Sequence, residues 1–237
     1  MERSPIHSIT FTNKGYIDYT HNLLESIKKN GTDTQLEVIA IDNESFEYFK
    51  SIYDDVSFFG SDFVIEQNKL LKQIEDGFGN LMMTKFEVIY SSLLKHESVL
   101  YIDGDIVIKK NFNHYLEKFI HNKDIVFQND KRPSKPNETK VCAGFMLINS
   151  NKKTLKFFNP KNVPFEKVIN YVAHDQTHIN KSRSKFEHSI LPLDLFPNGP
   201  HYYANTTDLD PFIIHFNFLI GDVKKEKMKE YGEWYIN

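Results

Sequence analysis

Two aspartates separated by one glycine interrupt an apolar run, Val99-Leu100-Tyr101-Ile102-Asp103-Gly104-Asp105-Ile106-Val107-Ile108. The run has the composition of a buried strand, and open α/β sheets keep their ligand crevice at the carboxyl ends of such strands. Carboxylates at this spacing reach one hard divalent cation. Mg²⁺ or Mn²⁺ held by few protein oxygens keeps positions open for water or a substrate phosphate. Taken alone, the same residues also read as a turn, because Asp-Gly is a frequent turn pair.

The surrounding sequence supplies elements that would position these acids. Ile6 to Thr12 reads as a first strand, broken by Asn13-Lys14-Gly15. Ile17, Thr20, Leu24 and Ile27 recur at helical spacing, and Gly31 ends that helix. Leu36 to Asp42 reads as a second strand, with Asp42 or Asn43 able to cap the segment after it. Strand, helix and strand with short links make a βαβ unit, which implies a parallel sheet. Short strand-like pieces come next at Val56 to Phe59 and Phe63 to Ile65, and Phe86, Ile89, Tyr90, Leu93 and Leu94 mark one face of the helix that leads to the acid strand.

Beyond the acids, Ile125 to Gln128 and Phe145 to Asn149 read as strands. Between them the stretch from Asn129 to Asn137 is polar and broken by Pro133 and Pro136, hence a loop of the kind that often forms a lid. The segment after Gly221 is a helix pattern rich in lysine. Neither GxGxxG nor GxxxxGK[ST] occurs, so the dinucleotide fingerprint and the P-loop are both missing.

Composition narrows the class further. The 237 residues allow one large domain or two small ones, and 40% apolar residues are those of a globular chain. A net charge of −3 offers no global field for nucleic acid. The single cysteine, Cys142, excludes an intramolecular disulfide and a cysteine zinc cluster. No signal-peptide pattern opens the chain and no apolar run is long enough to span a bilayer, so a soluble, cytoplasmic protein is expected. The oligomeric state is open.

Several pieces in fixed order carry a resemblance. They are Lys85, the Leu100-to-Val107 acid motif, Ala143-Gly144-Phe145-Met146-Leu147-Ile148, His174-Asp175-Gln176, Leu193 to Gly199, and Ile214-His215-Phe216-Asn217 followed by Gly221 and Lys224. Together they resemble nucleotide-diphospho-sugar transferases of the GT-A fold, closest to glycosyltransferase family 77 and similar to family 8. The resemblance spans about residues 6 to 235. It implies an α/β, Rossmann-like single domain over 1–237 with a mostly parallel central sheet. Residues 1–110 would form the nucleotide-sugar half, and 111–237 an irregular acceptor-side half with a closing segment at the C-terminus.

The resemblance also implies chemistry: retaining, metal-dependent transfer of a pentose such as xylose, or of galactose, from a UDP-sugar to a glycan or glycoprotein. Asp103, Asp105 and His215 would hold Mn²⁺ or Mg²⁺; from spacing alone His215 is a core histidine. Gly104 would join them at the donor. Gly221 and Lys224 would approach the diphosphate, with Lys225 as the competing lysine, while Lys227 and Lys229 read as solvated. Thr12, Asn13 and Asp42 would lie near the nucleotide, although Asp42 also fits a simple helix cap. Lys85 would face the donor. Asp175 and Gln176 would flank the anomeric carbon, and Asp130 would contact the donor sugar. Cys142 departs from relatives that often carry Asn before Ala-Gly. Two other classes share parts of this pattern: a sugar-1-phosphate nucleotidyltransferase and a non-catalytic nucleotide-sugar-binding relative.

Overall fold

In a computed structural model of the chain, the described residues are 6–60, 77–137, 139–163, 175–206 and 208–236. The expected strand piece at Phe63 to Ile65, and His174 of the Asp-Gln motif, lie outside them. The central sheet has seven strands: β1 (His7–Thr12), β2 (Leu36–Ala40), β3 (Val56–Phe58), β4 (Ser98–Ile102), β6 (Ile125–Asn129), β7 (Val141–Asn149) and β8 (His188–Ile190). Their order is β3-β2-β1-β4-β7-β6-β8. Every pairing is parallel except the two made by β7, so β7 alone runs against the others. The sheet is therefore mostly parallel, as expected, and its strands come from both halves of the chain.

This order creates the site. The chain winds outward from β1 through β2 to β3, then returns to pair β4 with the other edge of β1. Ligands of open α/β sheets bind at such a switch point, beyond the strands' carboxyl ends. Thr12 ends β1 there and Asn13 follows it, Asp103 follows β4, and Gln128 and Asp130 lie at the end of β6. Because β7 is reversed, its first residues, Cys142 to Gly144, reach the same edge; the amide of Asp103 donates to the carbonyl of Gly144 at 2.7 Å.

Alternation along the strands fills a core on each face. Val99 and Tyr101 point into one core with Ile9, Phe127, Met146 and Phe86 of α3 (Gly77–Leu93). Leu100 and Ile102 point into the other with Val38, Val126 and Leu147, covered by Leu23 of α1 (Ile17–Lys29) and Leu116 of α4 (Asn113–Ile120). Strands buried on both faces read as continuous apolar runs, which is why β4 stands out in the sequence. α1 ends at Gly31, where φ is +58°, a conformation that favours glycine. α2 (Asn43–Lys50) is capped by Asp42, and α5 (Lys152–Phe158) by a reciprocal Asn151–Thr154 capping box.

A second, two-stranded sheet pairs β5 (Ile106–Ile108) with β9 (Ile213–His215) in antiparallel register, Ile106 opposite His215. That register carries a histidine more than a hundred residues distant in sequence to the acid motif. Three further α-helices follow: α6 (Asp175–Ser182), α7 (Gly199–Asn205) and α8 (Asp222–Glu230). Among the described residues no helix is long and apolar enough to cross a membrane.

Candidate metal and donor site

Asp103, Asp105 and His215 converge, with one ligand atom of each within 4.8 Å of the others. His215 Nε2 lies 3.2 Å from Asp105 Oδ1 and 3.9 Å from Asp103 Oδ2. The opposite ring nitrogen, Nδ1, is 2.7 Å from Gln128 Oε1. The Gln128 amide nitrogen donates to the carbonyls of Phe196 and Pro197, both at 3.1 Å, so its oxygen must be the atom facing the ring. An oxygen can only accept, so Nδ1 carries a proton, and Nε2 is left as the nitrogen that faces the carboxylates and would be free to bind a metal once deprotonated. This is how proteins orient an imidazole for a metal.

Backbone shape makes room for the cluster. A β-carbon on Gly144 would run into the Asp103 carboxylate and the His215 ring. At Gly104 it would meet Thr20 Oγ1 at 2.7 Å, so the residue between the two acids packs directly on α1. The β6–β7 register shifts between Phe127 and Gln128, and such irregularities re-aim side chains. Here it turns Gln128 toward His215.

Cations surround the acids. The Lys224 ammonium bonds Asp105 Oδ2 and donates to the Tyr16 hydroxyl at 2.9 Å. Burial would raise the Asp105 carboxyl, but Lys224 and His215 outweigh burial and hold it well below the usual carboxylate range. Burial opposes a charge on His215; the neighbouring Cys142 and Asp105 overcome it and raise the imidazole above its ordinary value. Lys85, 5% exposed, lies 2.6 Å from Asp175 and 3.2 Å from Asp103. Burial lowers its ammonium and the two acids raise it, with the acids prevailing. Tyr101 donates to Asp103 Oδ1 at 2.6 Å.

The cluster opens into a cleft of about 340 Å³. Thr12, Asn13, Lys85, Asp103, Gly104 and Asp105 line it, together with Asp175, Gln176, His215 and Lys224. Asp130 stands just behind, accepting from Gln176 Nε2 at 2.9 Å and from Asn217 Nδ2 at 3.4 Å. Burial pushes its carboxyl up to about 6, against the opposing pull of His215 and Arg132. Gln176 is fixed at its other end by the amide of Ala143 at 3.2 Å.

Besides Asp130, two more expected residues fall outside the cleft lining. Asp42 accepts from the amides of Ser45 and Lys14, both at 2.8 Å, so both its oxygens serve backbone groups. Gly221, with φ +56°, begins α8 and accepts from the Tyr19 hydroxyl at 2.9 Å. Of the two competing lysines, Lys224 lines the cleft, and Lys225 pairs with Asp18 on the surface at 2.8 Å. Lys227 and Lys229 pair with Glu230 and Glu226 within their own helix.

Sequence reasoning missed Gln128, Tyr16, Tyr101 and Phe218. Gln128 does leave a trace, as a polar residue ending an apolar strand. Phe218 lines the cleft with φ +65°, a strained setting for a bulky residue and one that clusters at functional sites.

Comparison with known proteins places the chain in a family. Residues 32–229 match the family model described as nucleotide-diphospho-sugar transferase, and the chain belongs to that family. A UDP-galactose:fucoside alpha-3-galactosyltransferase of Dictyostelium discoideum is 26% identical over an alignment covering 97% of this chain and 43% of the relative. The chain thus spans less than half the length of that relative. Among solved structures, the galactosyltransferase LgtC in complex with donor and acceptor sugar analogs superposes with a TM-score of 0.63 at 11% identity, covering 89% of this chain and 86% of LgtC. Mouse xyloside xylosyltransferase 1 gives a TM-score of 0.57 at 13% identity, covering 91% and 99%. At such identities the superpositions speak for a shared GT-A fold.

Proposed function

We propose that the chain is a metal-dependent, retaining glycosyltransferase that moves galactose or a pentose such as xylose from a UDP-sugar to a glycan or glycoprotein. The observation that carries this reading is the convergence of Asp103, Asp105 and His215 in the lining of the cleft. Two carboxylates and an imidazole whose Nε2 is oriented by Gln128 suit Mn²⁺ or Mg²⁺. Such an ion, when bound, supplies charge stabilisation to the departing nucleoside diphosphate.

The chain's own residues divide the remaining work. Thr12, Asn13 and Gly104 line the nucleotide side. Lys224 supplies a second positive charge for the phosphates. Lys85 holds and orients the Asp175 carboxylate, which faces the same cleft as the metal ligands. We assign Asp175 to stabilising positive charge on the sugar as the leaving group departs, with Gln176 contacting the sugar and Asp130 holding Gln176 from behind. The whole of 1–237 acts as one domain in this reading, since the site takes residues from both halves.

Mass analysis of the products tests it. Incubation of UDP-galactose or UDP-xylose with Mn²⁺ is expected to release UDP. Release of pyrophosphate from UTP and a sugar 1-phosphate would identify a nucleotidyltransferase instead.

A further inference from the structure

A second pocket, of about 500 Å³, opens beside the cleft and shares Gln176 and Thr177 with it. Lys140, Lys181 and Arg183 line it, together with Thr139 and Asn180, and among the described residues no carboxylate does. The chain as a whole carries 32 acidic against 29 basic side chains, so a described lining with three cations and no carboxylate is a local departure from the average.

The walls are pinned in place. Asn180 donates to the carbonyl of Val141 at 2.8 Å and accepts from its amide at 2.9 Å, which docks α6 on the start of β7. The Arg183 guanidinium bonds both the carbonyl and the hydroxyl of Thr139, closing the far side. Thr177 and Lys181 are four residues apart on α6, so they share a face. The helix begins at Asp175 in the cleft, and Lys181 lies about 9 Å further along its axis. Burial, then Lys185 outside the pocket and Lys181 in its wall, lower the nearby His178 imidazole.

We propose that this pocket receives an anionic group, phosphate or carboxylate, carried by the acceptor one sugar's length from its reacting hydroxyl. The proposal rests on the transferase reading above and adds the acceptor's chemical class. Guanidinium and ammonium groups on a fixed wall favour such an anion over a neutral sugar.

Amide NMR with the protein saturated in UDP and Mg²⁺ tests it, using galactose, galactose 6-phosphate and glucuronate as probes. Galactose 6-phosphate is expected to shift the amides of Lys140, Thr177, Asn180, Lys181 and Arg183 and to bind at least about tenfold tighter than galactose. The advantage should shrink as KCl is raised, because exposed charges are screened. It should be lost in the Lys140→Ala/Lys181→Ala variant. A response to glucuronate as well would mean that charge alone is read, and a response to galactose 6-phosphate only would mean that phosphate is. Equal affinity for anionic and neutral probes, no shift of these amides by either anion, or a tenfold advantage surviving in the double variant would each overturn the proposal. Shifts at Thr12 and Gly104 on adding UDP and Mg²⁺ report the donor site in the same samples. Their absence would count against the transferase reading and leave the anion test independent.

Discussion

The ammonium of Lys224 rests on Asp105, the carboxylate that also faces His215 Nε2 at 3.2 Å. One acid is therefore claimed by both a lysine and the candidate metal cluster. A cation held by Asp105 would compete with Lys224 for that carboxylate and would leave the ammonium available to the diphosphate. Lys224→Met should separate the two effects. Binding of Mn²⁺ alone, followed by electron paramagnetic resonance, should tighten by about tenfold. Binding of UDP in the presence of Mn²⁺ should weaken by a similar factor, the scale of one charge-assisted contact. Movement of both affinities in the same direction would contradict the exchange.

Gln128 should act on the metal without touching it. It fixes His215 through Nδ1, and loss of such an outer partner typically costs about 10- to 100-fold in metal affinity. Gln128→Leu is expected to weaken Mn²⁺ binding within that range. Calorimetric titration with Mn²⁺, with the melting temperature measured alongside, checks it; unchanged affinity in a folded variant would make Gln128 a core residue only.

Much of this arrangement is legible in the sequence, and the exceptions share a cause. β4 and its acids stand out because a strand buried on both faces is a continuous apolar run ending abruptly in charge. Position offers Asp42 equally as a cap and as a nucleotide contact, and the structure uses both its oxygens for backbone amides. His215 is different. Its neighbours Ile213, Ile214 and Phe216 disguise it as a core histidine, and only the β5–β9 register brings it to Asp105. Gln128 depends on a register shift against β7, and Tyr16 on the docking of α8 across α1. Pairings between distant segments leave no local periodicity to read.

Asp175 should matter for moving the sugar more than for holding UDP. Its carboxylate is held at 2.6 Å by Lys85, which keeps a second acid, Asp103, at 3.2 Å. In Asp175→Asn the lysine retains that partner, so the fold is expected to stand. Loss of an interaction made mainly in the transition state lowers kcat and kcat/KM together. Transfer should fall at least about a hundredfold with UDP affinity nearly unchanged. Steady-state rates within about twofold of wild type would remove Asp175 from the catalytic group.

Asp130 should make stability depend on pH. Burial raises its carboxyl to about 6, above the ordinary carboxylate value, so the folded protein binds its proton more tightly than the unfolded chain. The stabilisation is complete at low pH and is lost as pH rises from about 4 through about 6. Between pH 4 and pH 7 the stability of the wild type relative to Asp130→Asn should decline, by roughly 3 kcal/mol at most. Urea unfolding of both proteins across this range measures it, and a flat difference would show that Asp130 titrates normally.

The central claim is that Asp103, Asp105 and His215 present a metal ion to the donor's diphosphate. Titration calorimetry with UDP, in Mn²⁺ and again after EDTA, tests it most directly. Three groups of like charge, two carboxylates and the diphosphate, meet at this point and need a cation between them. UDP should bind with Mn²⁺ and lose nearly all affinity with EDTA, and Asp103→Ala or Asp105→Ala should reproduce that loss in Mn²⁺ while the protein stays folded. UDP affinity unchanged by EDTA would contradict the account.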